Sequence, residues 1–300
     1  MTRVKLIVTV TAVTIAGSLL LGSATAAASP AWWPPQLPPL PPQIAKFLEP
    51  PVPTEKKLIS SFAKMQKSMR RSQPGKVGLA IVAVGSDRVI TMGDLTTGRA
   101  WSTLKVPVSL AAQRRYGAAV AAEEDKAITF SDNDAAGELW GALGGGQSSV
   151  DAVTAVLREG HDTRTQVSSE ADDPPSYPGY TPWALADQAR FGAHLPCMPG
   201  SEDVIRLMSN VAANQQWGVA TMAPNKGAVT AVKGGWGPAT SRSAGYLVRQ
   251  LAVITTTRGD VAVSMAAIPR NGSFTTGTRM LNRVGDWLER NLPQLPTGRC

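Results

Sequence analysis

Segments that read as β-strands lie at both ends of a long helical middle, and this placement constrains the fold most. Val77–Val84 and Arg88–Met92 are strand-like runs separated by the turn residues Gly85-Ser86-Asp87. The next strand-like runs come much later, at Trp217–Met222, Val229–Lys233, Leu247–Thr256 and Asp260–Ile268. Between the two groups the apolar spacing is helical: Ser102–Ala122, Asp134–Leu143 closed by Gly144-Gly145-Gly146, Ser149–Arg158, and Thr181–His194 with Thr181 as N-cap and Pro182 in the first turn. Helical patterns also bracket the whole, at Thr54–Arg71 (Leu58, Ile59, Phe62, Met65, Met69) and Phe274–Leu292. Such an order predicts a mixed sheet completed by both ends of the chain, with a helical insertion between the halves.

The N-terminal region has a different character. Arg3 and Lys5 precede the apolar run Leu6–Leu21, and Ala24-Thr25-Ala26 and Ala26-Ala27-Ala28 are small-residue cleavage patterns. Residues 1–28 therefore read as an export signal; left uncleaved, the same segment would be a membrane anchor. Pro30–Pro53 holds ten prolines, the composition of an extended spacer, so residues 29–54 read as a linker and 55–300 as the folded domain. The formal net charge of +8 is spread along the chain, and its densest run, Lys64–Arg71, fits the solvated face of a helix. Nucleic acid is not an expected partner.

An exported chain meets an oxidising compartment, so the two cysteines, Cys197 and Cys300, are expected to pair. With the cysteines paired, the two histidines, His161 and His194, do not complete a zinc set, and neither has a nucleophile near it in sequence. No metal and no cofactor are expected. There is no G-x-S-x-G nucleophile elbow. Arg258-Gly259-Asp260 reads as a hairpin turn, and Asn271-Gly272-Ser273 as a turn and helix cap.

Three short motifs carry candidate chemistry. Ser102 and Lys105 are three apart at a helix start, Ser131-Asp132-Asn133 precedes a short helix, and Lys233-Gly234-Gly235-Trp236 follows a strand-like run. Each has a purely structural reading: a cap with a surface lysine, a helix start capped by Ser131 or Asp132, and a plain strand end. Together and in this order, S-x-x-K, S-D-N and K-x-G resemble the signature of class A β-lactamases and penicillin-binding D,D-peptidases. Thr181–Arg190 is similar to the Thr-Pro-initiated helix after the omega loop of class A enzymes, and Gly245–Val253 to the strand that follows their K-T-G strand. The resemblance covers most of residues 55–295.

It implies an α+β fold, an antiparallel sheet flanked by N- and C-terminal helices with a small helical subdomain. It implies an active-site serine hydrolase working through an acyl-enzyme. Ser102 would be the nucleophile and Lys105 its base, with Ser131 and Lys233 relaying the proton and Asn133, Gly234 and Gly235 placing the substrate. A β-lactam or a D-Ala-D-Ala-type cell-wall peptide would be the substrate of a secreted monomer. The alternative is a relative that keeps the fold, binds cell-wall peptide or a partner, and turns nothing over.

Three departures bear on that choice. Only 29 positions separate Ser102 from Ser131, so the helical part is reduced. Gly234 stands where the family has threonine, whose hydroxyl binds the substrate carboxylate; Thr240, Ser241, Ser243, Arg242 or Arg249 are the candidate replacements. The omega loop falls at about 163–180, where Glu170 is the only glutamate and the candidate deacylating base. It is one position too far from Thr163-Arg164 for the family pattern and lacks the usual neighbours.

Overall fold

The computed structural model describes residues 55–222, 228–240 and 244–300. The signal and linker segments, Thr54, and Ser241, Arg242 and Ser243 lie outside them. In chain order the elements are α1 (Glu55–Ser72), β1 (Gly75–Ala83), β2 (Val89–Gly93), β3 (Thr97–Arg99), α2 (Lys105–Tyr116), α3 (Ala121–Asp125), α4 (Asn133–Ala142), α5 (Gly146–Glu159), β4 (Pro182–Ala184), α6 (Leu185–His194), α7 (Glu202–Met208), β5 (Val229–Pro238), β6 (Tyr246–Thr256), β7 (Gly259–Pro269) and α8 (Phe274–Asn291).

Five strands form one antiparallel sheet in the order β2-β1-β7-β6-β5, so the first and last strands of the chain are neighbours at its centre. The alternation of side chains across β1 explains both faces. Val77, Leu79 and Ile81 pack with α1 and α8, through Leu58, Phe62, Met280 and Leu281. Ala80 and Val82 point the other way, against Leu185, Ala189 and Ala193 of α6. The small residues on that second face let α6 lie close to the sheet. α1 and α8 are amphipathic, with Phe62 and Trp287 meeting edge to face at 5.3 Å.

The helical part gathers around α2. Residues 105–112 of this helix are all buried, the pattern of a central helix packed on every side. α4, α5 and α7 surround it through Leu139, Val153, Leu157 and Leu207. Cys197 and Cys300 form a disulfide, with Cα atoms 5.2 Å apart, and no described cysteine is free. No described helix is long and apolar enough to cross a membrane.

The hairpin turns, the sheet and the terminal helices match the sequence reading, and Ser273 Oγ caps α8 by accepting from Thr276 N at 3.3 Å. Four segments differ. Trp217–Met222 is a 3-10 turn centred on Gly218–Thr221, because its amides are held by side chains: Gly218 N donates to Asn282 Oδ1 (2.7 Å) and Val219 N to Gln250 Oε1 (2.8 Å). Thr181 does not cap a helix. Pro182–Ala184 instead pair with Thr97–Arg99, and the helix starts at Leu185. The stretch from Ser102 is not one helix but a 3-10 turn (Trp101–Leu104), α2, and further short turns ending in a π-turn, Lys126–Phe130. Lys233 is not at a strand end, since β5 continues against β6 to Pro238.

Candidate functional site

The 3-10 turn carrying Ser102 sits directly on β5. A Cβ added to Gly235 would come within 2.9 Å of Ala100 O and 3.0 Å of Ser102 N, so only glycine allows this approach. The turn is also held from below. Thr103 Oγ1 donates to Ala100 O (2.6 Å) and accepts from Gln188 Nε2 (2.8 Å). Gln188 Oε1 in turn accepts from Arg249 Nη2 (2.7 Å) and Ser264 Oγ (2.6 Å). Arg249 is fully buried, and its Nη1 donates to Gly98 O, Arg99 O and Trp183 O at 2.9, 3.0 and 3.1 Å. Burial lowers its pKa to about 9. It is a strut beneath the turn and presents no charge to the cavity, contrary to its candidacy as a carboxylate partner. Trp101, just before Ser102, has φ of +48°, uncommon for a bulky residue.

Ser102, half-buried, opens onto a cavity of about 380 Å³ whose wall also includes Lys105, Ser131, Asn133, Glu170, Trp101, Trp140, Tyr177 and Trp236. Lys105, one helical turn on, points its ammonium at the S-D-N segment. Nζ donates to Ser131 O (2.6 Å), Asp132 O (2.8 Å) and Asn133 Oδ1 (2.8 Å). A lysine has three such donors, so all are committed and none reaches Ser102. Burial lowers the Lys105 pKa to about 8, against the opposing charge of Asp132. Because only an acceptor can face an ammonium, the Asn133 amide nitrogen is the end left for a ligand.

The π-turn ends at Ser131, whose left-handed backbone (φ +62°) brings its carbonyl to Lys105 and its hydroxyl to Lys233. Asp132 Oδ1 accepts from Ala135 N at 2.8 Å and caps α4. Lys233, fully buried, donates to Ser131 Oγ (2.9 Å), Gln215 Oε1 (2.5 Å) and Gly234 O (3.1 Å). Burial, and secondarily Lys105, pushes its pKa well below the usual lysine value. Gln215 is fixed by donating to Ile128 O and Thr129 O, both at 2.9 Å. Gly234 N also donates to Gln215 Oε1, at 3.2 Å, off the free edge of β5. Alternation along an antiparallel strand turns the Trp236 N–H to that same edge.

Gly234 does not face the cavity as the family's threonine does. A Cβ there would lie 2.6 Å from the Trp217 ring, so the space for a side chain is taken. Among the candidate replacements, Thr240 is exposed beyond β5 and does not line the cavity.

Glu170 is exposed and lines the cavity, but its Oε1 accepts from Gly146 N (2.6 Å) and Trp140 Nε1 (3.1 Å). It thereby caps α5, which starts three residues earlier than its apolar pattern suggests. Its own backbone N–H, then the backbone N–H of Gly146 and the indole N–H of Trp140, hold its pKa below the ordinary glutamate value. The 163–180 loop is closed at its base. Arg164 grips Asp187 through Nε (3.1 Å to both oxygens) and Nη2 (2.6 Å), while buried Asp162 accepts from Arg164 N, Thr165 N and Trp183 Nε1.

Of the residues the sequence singled out, Ser102, Lys105, Ser131, Asn133 and Glu170 line one cavity, Lys233 and Gly235 support it from behind through Ser131 and the Ser102 turn, and Gly234 is turned to Trp217. Sequence reasoning missed Gln188, Gln215, Trp101 and Trp217; single polar or aromatic residues far apart in sequence carry no local signal.

No family model and no curated protein matches the chain. Solved structures do. A class A β-lactamase from Mycobacterium abscessus aligns with a TM-score of 0.62 at 15% identity, over 79% of this chain and 99% of that one. A β-lactamase from Xanthomonas campestris gives 0.60 at 17%, over 80% and 99%, and one from Sphaerobacter thermophilus 0.59 at 18%, over 80% and 99%. The fold is therefore the β-lactamase/transpeptidase-like one that the resemblance implied. At these identities the likeness is one of fold.

Proposed function

We propose that the chain is an exported active-site serine hydrolase that is acylated on Ser102 by β-lactams or D-Ala-D-Ala-type cell-wall peptides. The observation that carries this reading is the convergence of Ser102, Lys105, Ser131 and Asn133 on one cavity, with the fully buried Lys233 behind it donating to Ser131 Oγ. Lys105, once neutral, has a lone pair in place of one donor and takes the Ser102 proton as Oγ attacks the carbonyl carbon. The Ser102 and Trp236 backbone N–H groups receive the negative charge that develops on the carbonyl oxygen. As the C–N bond breaks, Ser131 passes its hydroxyl proton to the leaving nitrogen and is reprotonated from the Lys105–Lys233 pair. The Asn133 amide nitrogen donates to a substrate carbonyl.

The second step is the weak one. Glu170 Oε1 is occupied by Gly146 and Trp140, and a carboxylate with a lowered pKa is a poorer base for water. The acyl-enzyme on this reading is long-lived, as in a penicillin-binding protein. The leader and the proline-rich stretch belong to the same proposal: residues 1–28 direct export and 29–54 space the domain from the envelope.

Intact-protein mass after incubation with a penicillin tests the reading. A Ser102-dependent adduct that outlasts the free drug is expected. Absence of any adduct over hours with several β-lactams, or an adduct that survives Ser102→Ala, overturns it. A second reading, a fold that binds without turnover, is favoured by the three committed donors of Lys105 and by the filled space at Gly234. Saturable binding of a cell-wall peptide without acylation would establish it.

A further inference from the structure

The only two histidines of the chain, His161 and His194, meet outside the cavity although a whole loop separates them in sequence. His161 follows the end of α5, and His194 closes α6. Their rings stack with centroids 3.7 Å apart. Both turn a nitrogen onto the same oxygen of Asp87, in the β1–β2 turn: His161 Nδ1 at 2.9 Å and His194 Nε2 at 3.0 Å. The turn is itself fastened to α6, since Gly85 N donates to Ala193 O at 3.0 Å. Three elements distant in sequence therefore gather three ligand atoms within 4.8 Å of one another.

We propose that Asp87, His161 and His194 form a binding site for a divalent transition metal of the zinc type, with solvent supplying the remaining ligand. The donor set is chemically suited. Two neutral imidazoles and one carboxylate are borderline ligands that favour zinc over magnesium or calcium. Tetrahedral zinc bonds of about 2.0–2.1 Å place neighbouring ligand atoms roughly 3.3 Å apart, so the two histidine–aspartate contacts need open by only a few tenths of an ångström.

Access and adaptability are also present. The side chains of Asp87 and His161 are 59% and 50% exposed, while His194, at 11%, is the fixed member. His161 has φ of +61°, a conformation that non-glycine residues adopt rarely and that directs its ring toward His194. The guanidinium of Arg190 stands 4.0 Å from Asp87 and opposes a cation, but it is already paired with Asp187 at 2.9 Å. No free described cysteine competes for the metal. A bound ion would staple the β1–β2 turn and the ends of α5 and α6 beside the base of the 163–180 loop. This site is independent of any chemistry at Ser102.

Calorimetric titration of the purified full chain with zinc chloride, without a polyhistidine tag, tests the site. One zinc per chain is expected, with a rise in Tm on saturation. His161→Asn, which tolerates the left-handed backbone, and His194→Gln keep polar side chains in place. Each is expected to weaken binding at least about tenfold while leaving the metal-free Tm near that of the parent. Cobalt in place of zinc should give the visible absorption of a four-coordinate nitrogen–oxygen site, which both variants lose. Absence of saturable zinc binding, binding unchanged in either variant, or a cobalt spectrum of the free hexaaqua ion overturns the proposal.

Discussion

Arg249 donates to Gln188 Oε1 at 2.7 Å, and Gln188 passes the contact on to Thr103, so a fully buried cation fixes the turn that carries Ser102. Arg249→Met would leave the carbonyls of Gly98, Arg99 and Trp183 without their donor. Each orphaned buried acceptor costs about 1–3 kcal/mol, so we expect a loss of several kcal/mol in chemical denaturation. Removing a buried charge offsets part of that loss. We also expect slower Ser102 acylation at temperatures where the variant is still folded. Parent-like acylation by a folded variant would show that the strut does not position the turn.

Gly235→Ala tests the seating of the turn on β5. The added methyl meets Ala100 O and Ser102 N at about 3 Å, against backbone that cannot rotate away. Overpacking of this kind costs about 1–3 kcal/mol. A displacement of about 1 Å at the reacting atom lowers rates about a hundredfold. The acylation rate measured by mass spectrometry should fall far more than the Tm.

Acylation should rise with pH. Lys105 must lose its proton to act as base, and its pKa is lowered to about 8. The rate should climb about tenfold per pH unit below 8 and flatten above it. The stability consequence has the same sign. The unfolded chain holds this proton up to about 10.5 and the folded chain only to about 8, so the folded state gains stability as pH rises between those values. A rate that is flat from pH 6 to 9 would remove Lys105 as the base.

Gly234→Thr should not restore the missing hydroxyl by itself. The Trp217 ring lies 2.6 Å from the position of the new Cβ, so the single variant is expected to lose stability by about 1–3 kcal/mol. Combined with Trp217→Ala, the threonine has room. Substrates bearing a carboxylate should then acylate faster than they do with Trp217→Ala alone.

Reduction of Cys197–Cys300 frees a loop with a sequence separation of 103. The chain-entropy account assigns about 4–5 kcal/mol to a loop of that length. Urea unfolding with and without reductant, or of a Cys197→Ser/Cys300→Ser variant, measures it. An unchanged midpoint would mean that the cross-link contributes nothing to global stability beyond the pairing of Gly298 with Asp260.

Much of the fold was legible because the signals were local. The β1–β2 turn, the alternating faces of β1, the amphipathic α8 with its Ser273 cap, and the cysteine pair could all be read directly. The site was legible through three short motifs whose order survives even though Gly234 departs from the pattern. What stayed hidden depends on partners far along the chain. Trp217–Met222 has the composition of a strand, yet Asn282 and Gln250 capture its amides first. Pro182–Ala184 leave their helix because Thr97–Arg99 pair with them and Trp183 reaches Asp162 at 2.8 Å. The meeting of His161 and His194 follows from where α5 and α6 end, which no spacing rule could supply.

The central pairing of β1 with β7 sets an order of assembly. Gly75 lies beside Pro269 and Ala83 beside Val261, so β1 lacks its inner neighbour until the chain has been made almost to α8. Until then the strand exposes an apolar edge, and closing so long a loop is slow. A nascent chain of this topology stays open through most of its synthesis. It is thus susceptible to aggregation, and equally available to machinery that handles only unfolded polypeptide.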